Sequence, residues 1–193
     1  MEATKKASPA NYYIRIIGTL FAIAAVVGVL LALVNLLTKD TIAQNKAEKT
    51  AKAMTEVMPG VESYDELELP EDFENAKDVT SLLLAKNAAG DILGYCVQTS
   101  TNGNDGAIEL MVGVDTDGAV TKVSIISQKE TMYTNKHGEL IERYEGKSGE
   151  VKLTNDGGDI SAISGATITS RAVTKGVNSA LLAVQAAMEG GAQ

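Results

Sequence analysis

The stretch Ser164-Gly165-Ala166-Thr167-Ile168-Thr169-Ser170 lies directly before a helical pattern, and the rest of the chain is organised around it. Two small residues follow its first serine, and hydroxyl groups crowd the turn. It contains no acid, base or thiol, which makes it a poor candidate for a catalytic centre. Its residue types instead suit an attachment point or a phosphate-binding turn.

The pattern that follows predicts a helix beginning at Thr169 or Ser170 and ending near Glu189, before Gly190-Gly191. Its apolar face comprises Ala172, Val173, Val177, Ala180, Leu181, Val184, Ala187 and Met188. The first N–H groups of a helix lack intrahelical acceptors. They offer an anion site that the helix dipole reinforces.

Two interpretations of the turn remain open from the residues alone. The hydroxyls of Thr167, Thr169 and Ser170 are suited to capping the helix. The same geometry suits a phosphate, with Arg171 and Lys175 one turn apart to add positive charge.

Upstream of the turn the hydrophobic period changes to two and predicts four strands. These are Val79–Ala85, Ile92–Thr99, the alternating run from Ile108 to Val114, and Ala119–Ser127. The turn at Asp115–Gly118 joins the last two as a hairpin. We predict an α+β domain in which helices pack on an antiparallel meander with one buried face.

The remaining segments are more polar. Residues 61–78 are acidic, do not match an EF-hand loop, and are interpreted as a solvated segment. A short helix is predicted over Glu139–Tyr144, and a short strand over Val151–Thr154.

A charge-free run of 22 residues extends from Ile16 to Leu37. At about 1.5 Å per residue, a helix of this length crosses a bilayer core. A signal-peptide core has only about 7–15 apolar residues, so the run favours a retained transmembrane helix over a cleaved leader. Residues 38–59 continue as a predicted stalk helix that Pro59-Gly60 ends.

The flanking charges predict orientation. Lys5, Lys6 and Arg15 precede the span, so residues 1–15 are expected in the cytoplasm and residues 60–193 outside it. The first 15 residues carry +2 of the formal charge of −8, which leaves −10 for the remainder. So acidic an outer part argues against nucleic-acid binding.

Single residues argue against other chemistries. One cysteine, Cys96, excludes an intramolecular disulfide, and its apolar strand predicts a packed thiol. His137 stands alone in a polar loop. We therefore predict no metal site and no catalytic residue.

Residues 164–169 match the S-G-A-T-x-T motif of the FMN-binding domain family at every defined position. This resemblance implies that Thr169 carries FMN as a phosphoester, installed by a flavin transferase. Glu130-Thr131 resembles the family's glutamate-threonine pair, which approaches the flavin. The cofactor-binding residues that the resemblance implies are Thr169, Ser164, Gly165, Ala166, Thr167, Glu130 and Thr131.

The sequence departs from the family pattern at three places. Gln128 stands where the family often has histidine, Met132-Tyr133 where it often has proline-glycine, and Ser161 where it often has aspartate.

The single N-terminal span narrows the resemblance to the G subunits of Rnf electron-transport complexes, which are related to the C subunits of the Na⁺-translocating NADH:quinone reductase. It implies a single-pass plasma (inner) membrane protein that carries electrons in an ion-translocating ferredoxin:NAD oxidoreductase. Its implied partners are other membrane subunits, the flavin transferase and membrane lipid. The alternatives are a covalent-FMN domain of another electron-transfer chain and a cofactor-free, membrane-tethered structural domain.

Overall fold

The computed structural model of the chain describes residues 9–69, 76–131 and 137–190. It divides into two compact units, residues 1–45 and residues 46–193. The first helix, α1 (Pro9–Val57), runs through the first unit and into the second. Within the described residues, α1 is the helix long and apolar enough to cross a membrane. It contains the predicted span and ends two residues before Pro59, as the sequence indicates.

The second unit is built on a five-stranded antiparallel sheet whose strands lie in sequence order. The strands are β1 (Ser63–Leu67), β2 (Val79–Lys86), β3 (Ile92–Asn102), β4 (Ala107–Asp115) and β5 (Val120–Ser127). The four predicted strands are therefore confirmed, as is the α+β fold. At the predicted hairpin turn, the N–H of Gly118 donates to the Asp115 carbonyl over 3.2 Å.

The acidic segment contains a strand, β1, that the sequence pattern does not predict. Residues 63–67 pair with β2 along one edge of the sheet. Tyr64 and Leu67 are half-buried, whereas Asp65 and Glu66 are exposed. Charged side chains are a common feature of edge strands, where they discourage pairing with another chain.

Three further elements complete the second unit. A short helix, α2 (His137–Ile141), continues into a 3-10 turn over Glu142–Tyr144, which confirms the predicted short helix. The long helix α3 spans Thr167–Gly190. The predicted strand at Val151–Thr154 is wrong, because Leu153 makes only an isolated bridge to Ile160 and a 3-10 turn starts at Thr154.

Both faces of the sheet are covered, which corrects the prediction of one buried face. Helix α3 packs on one face, against the predicted alternating side chains of β4. On the other face, Val57 and Met58 join a second apolar cluster with Cys96, Met111 and Ile126. The thiol of Cys96 is packed as predicted, and its burial raises its pKa to about 12.

Polar contacts also fix the end of α1 on that second face. The Thr121 hydroxyl donates to the Val57 carbonyl over 2.7 Å. The Ser124 hydroxyl donates to the Glu56 carboxylate over 3.0 Å, and Lys122 forms an ion pair with Glu56 at 3.1 Å. The last turns of α1 are thus part of the second unit.

Candidate functional site

Helix α3 begins at Thr167, two or three residues before the start at Thr169 or Ser170 that the sequence pattern predicts. Gly165 adopts a φ of +82°, in the left-handed region that favours glycine. The Ala166 N–H donates to the Ile163 carbonyl over 3.0 Å, closing the turn before the helix. Thr169 is consequently the third residue of α3 and lies within its first turn.

Ser170 fixes the turn to the helix. Its hydroxyl donates to the Ala166 carbonyl over 2.9 Å and accepts the Ile163 N–H over 3.1 Å. The side chain is fully buried. The capping prediction is wrong for Ser170, because the N–H that it accepts belongs to Ile163, upstream of α3, rather than to the first turn of the helix. Its two hydrogen bonds instead tie the preceding turn to the helix.

Thr169 contacts a different group. Its hydroxyl donates a hydrogen bond to Oε2 of Glu130, and both residues are 3% exposed. Glu130 follows the end of β5, so the contact joins the loop after the sheet to the first turn of α3. The structure thereby places two residues of the predicted site, Thr169 and Glu130, in direct contact.

The loop between β3 and β4 holds the Glu130 carboxylate from the other side. The Asp105 N–H donates to Oε1 of Glu130 over 2.7 Å. A Cβ built on Gly103 would lie 2.5 Å from the same oxygen, so only glycine leaves room for the carboxylate there. Gln128 completes the arrangement, because its Oε1 accepts the Glu130 N–H over 2.7 Å.

Sequence reasoning does not identify Gly103, Asp105 or Gln128 as part of the site. The glycine- and asparagine-rich composition of residues 101–106 indicates a turn, without indicating which side chain the turn surrounds. Gln128 stands out in the sequence only as a departure from the family pattern.

Thr131 lies on the exposed side of this arrangement. Its N–H and hydroxyl both donate to Oδ2 of Asp105, over 3.2 and 2.9 Å. These two hydrogen bonds hold the pKa of the Asp105 carboxyl below its usual range. Thr131 thus contacts the loop that surrounds Glu130.

The other motif residues form the surface of the turn. Ser164 and Gly165 are exposed, Thr167 is half-buried, and Ala166 is buried.

The two cations expected to face a phosphate are engaged elsewhere. Arg171 donates two hydrogen bonds to Asp156, over 3.0 and 2.7 Å, and lowers the pKa of that carboxyl. Lys175 forms an ion pair with Asp78 at 2.8 Å. Binding of an anion at this turn would therefore depend on the positive end of α3 and its first backbone N–H groups more than on the side chains of Arg171 and Lys175.

The described residues bring Thr169 and Glu130 together at the first turn of α3. Cavities of about 220 and 670 Å³ lie along α3, but Thr169 lines neither. Met132 and Tyr133 lie outside the described residues, as does the side chain of His137. Among the described residues, no three metal-ligating side chains cluster.

Comparison with known proteins identifies the family. The sequence model of the FMN-binding domain matches residues 103–182, and that of the RnfG N-terminal region matches residues 18–57. The chain is 30% identical over 184 residues to the G subunit of the Na⁺-translocating ferredoxin:NAD⁺ oxidoreductase complex of Acetobacterium woodii, with 86% of this chain and 88% of the relative covered. The chain belongs to the RnfG family, the G subunits of Rnf ion-translocating oxidoreductase complexes. Its FMN-binding domain includes Gly103, Glu130 and Thr169.

Two other relatives are also G subunits of ion-translocating complexes. The G subunit of an ion-translocating oxidoreductase complex of Pseudomonas aeruginosa is 32% identical over 181 residues, with 84% of each chain covered. The G subunit of the proton-translocating ferredoxin:NAD⁺ oxidoreductase complex of Clostridium ljungdahlii is 28% identical over 161 residues, with 80% of this chain and 82% of the relative covered. The names of these relatives include both sodium and proton as the coupling ion.

Proposed function

We propose that this chain is the electron-carrying subunit of a membrane-bound, ion-translocating oxidoreductase complex of the ferredoxin:NAD type. Its cofactor is one FMN joined through a phosphoester to Thr169. Family membership supports the electron-carrying role, and the FMN-binding domain supports the cofactor.

The environment of Thr169 is the observation that carries the proposed linkage. Of the two motif threonines, Thr169 is the one whose hydroxyl donates to a buried carboxylate. A serine or threonine hydroxyl is a weak nucleophile until a neighbouring base accepts its proton. A phosphoester at Thr169 also places the phosphate at the N-terminal turn of α3, where backbone N–H groups favour an anion.

The division of labour between cofactor and protein follows from this arrangement. FMN, when bound, supplies reversible electron uptake and release. The chain fixes the phosphate end of the cofactor, and a phosphoester leaves the flavin ring chemically unchanged. Such a tether also prevents loss of the cofactor outside the cytoplasm. We expect little catalytic activity from this protein in isolation.

The proposed setting is the plasma (inner) membrane. Helix α1 spans it once, with the N-terminus in the cytoplasm and the FMN-binding domain on the opposite side. The apolar part of α1 contacts lipid and other membrane subunits of the complex, and a flavin transferase attaches the FMN.

In-gel fluorescence tests the linkage. The full chain is produced together with a flavin transferase, denatured, separated by electrophoresis and viewed under ultraviolet light. We expect a fluorescent band for the wild type and for Thr167→Ala, and a dark band for Thr169→Ala. The two variants remove the same hydroxyl and methyl group two positions apart. A dark wild-type band from cells that contain an active transferase contradicts the proposal.

A further inference from the structure

We propose that Glu130 accepts the proton of the Thr169 hydroxyl when FMN is attached. The inference rests on the proposed function, because it concerns formation of the phosphoester at Thr169. It assigns to Glu130 a role in the modification reaction, beyond contact with the finished cofactor.

The geometry points to this role. The Thr169 hydroxyl already donates its hydrogen to Oε2 of Glu130 in the unmodified protein. The other carboxylate oxygen, Oε1, is held by the Asp105 N–H over 2.7 Å. Both residues are 3% exposed, so solvent competes little for this hydrogen bond.

The nearby carboxylate of Asp105 is directed elsewhere. Its Oδ2 accepts the N–H and the hydroxyl of Thr131, and the residue is exposed. Glu130 is therefore the carboxylate that the described residues place on the reacting oxygen.

The transfer step balances without any change in oxidation state. Oγ1 of Thr169 attacks the FMN phosphorus of an activated flavin nucleotide, in which that phosphate is part of a phosphoanhydride. The new Oγ1–P bond forms as the phosphoanhydride P–O bond breaks, and the leaving nucleotide keeps the bonding electron pair. The hydroxyl proton passes to Oε2 of Glu130.

The same proton also relieves a charge conflict in the product. A phosphodiester on Thr169 carries a negative charge, and an ionised carboxylate beside it would repel that charge in a poorly solvated site. Transfer of the hydroxyl proton to Oε2 of Glu130 removes this repulsion as the phosphodiester forms. The arrangement thus serves both the reaction and its product.

Glu130→Gln tests the assignment. Both carboxylate oxygens act as acceptors, whereas an amide has one donor end and no capacity to take the proton. The purified, unmodified full chain in detergent is incubated with a flavin transferase and a saturating flavin dinucleotide. We expect the maximal rate of fluorescence incorporation to fall about 100-fold, as is usual for loss of a general base. The transferase's apparent KM for the chain should stay unchanged.

Glu145→Gln is the matched control, because it makes the same carboxylate-to-amide change at an exposed position of the second unit, outside the hydrogen bonds that hold Glu130. As a surface substitution, it should keep the rate within about twofold of the wild type. Protection of the buried Cys96 thiol against a thiol reagent reports that each variant is folded.

Gly103→Ala provides a second test that leaves every charge in place. The added methyl group would lie 2.5 Å from Oε1, too close for the carboxylate to stay in place, and should displace the carboxylate from Thr169. We expect slow flavin incorporation with Cys96 still protected. This variant decides the matter if Glu130→Gln does not fold.

The outcomes separate the two proposals. A wild-type chain that stays dark contradicts the proposed function itself. A wild-type chain that becomes fluorescent, with a folded Glu130→Gln variant modified equally fast, overturns only the role of Glu130. If Glu130→Gln is unfolded, a wild-type rate for Gly103→Ala overturns it instead.

Discussion

Helical phase distinguishes Thr169 from Thr167. Successive residues of an α-helix are rotated by about 100°, so residues two positions apart differ by about 200° and face nearly opposite directions. Thr169 faces the interior and reaches Glu130, whereas Thr167 is half-buried at the surface of the turn. The position of a hydroxyl on α3, rather than its chemical type, therefore determines which threonine meets the carboxylate.

Two buried side chains make the domain sensitive to alkaline pH. Burial raises the pKa of the Cys96 thiol from 9.0 to about 12, and that of the Tyr144 hydroxyl from 10.0 to about 12. Above pH 9 the unfolded chain has lost protons that the folded chain retains. The free energy of unfolding should then fall as pH rises toward 12, by about 1.4 kcal/mol per pH unit for Cys96 above pH 9 and by the same amount for Tyr144 above pH 10.

Urea unfolding of the full chain in detergent, at several pH values on both sides of 9, measures this effect. Cys96→Ala is the comparison variant, since it removes one titrating group. It should be less stable near neutrality but lose less stability between pH 9 and 12. A wild-type urea midpoint that does not change over this range contradicts the prediction.

The sequence was sufficient to predict some individual roles but not the contacts between distant residues. The packed Cys96 follows from its apolar strand, and the candidate Thr169 from its motif. The hydrogen bond between Thr169 and Glu130 joins residues 39 positions apart. No local pattern encodes such a contact, because it depends on where α3 begins and on how the loop after β5 folds back.

Close contact between helix and sheet makes Gly113 sensitive to substitution. A Cβ built on Gly113 would lie 2.6 Å from the Val57 carbonyl oxygen and would also overlap the Thr121 side chain. Because the Val57 backbone lies too close to leave room for a methyl group, Gly113→Ala should push the end of α1 away from the sheet. We expect a loss of about 1–3 kcal/mol in the free energy of unfolding, as for other overpacked sites.

Gly138→Ala is the matched control for this prediction. Its added Cβ meets no atom of the described residues within 4 Å, and Gly138 lies in α2, where alanine is the better helix former. Urea denaturation of both variants measures the difference. Equal midpoints for Gly113→Ala and the wild type would show that α1 does not rest closely on β4.

The alternation of apolar and polar residues predicted four of the five strands. It did not predict strand β1 or the burial of both faces of the sheet. Strand β1 is short, charged and paired on one side, so its residues carry little hydrophobic signal. Leu110–Val114 is buried without a break. Such a continuous run is typical of a strand that is covered on both faces. It explains why the prediction of a sheet with one buried face was wrong.

Helix α3 starts two or three residues before the predicted position for a local reason. The Ala166 carbonyl already accepts the Ser170 N–H over 2.9 Å, so helical hydrogen bonding begins before the hydroxyl-rich residues rather than after them. The pattern of apolar residues begins only at Ala172 and does not reveal this first turn.

For the whole molecule, the proposed orientation gives a prediction about access. Because Cys96 is buried, the wild-type chain should not react with a membrane-impermeant maleimide. Glu145→Cys introduces a thiol at an exposed position of the second unit. With the domain outside the cytoplasm, it should be labelled from the outer side of the inner membrane in spheroplasts or in wall-permeable cells.

Lys6→Cys is the matched control, because it places a thiol before the membrane span. It should be labelled only after the membrane is permeabilised. Labelling of Lys6→Cys but not of Glu145→Cys in intact membranes would reverse the orientation that the flanking lysines predict.

The attachment of FMN to Thr169 is the central claim, and peptide mass spectrometry of the full chain tests it most directly. The chain is isolated from cells that contain an active flavin transferase, digested, and the peptide that includes residues 164–170 is fragmented. We predict an added mass of one FMN less one water, located on Thr169. The same mass on Thr167, Ser164 or Ser170, or an unmodified peptide throughout, would contradict it.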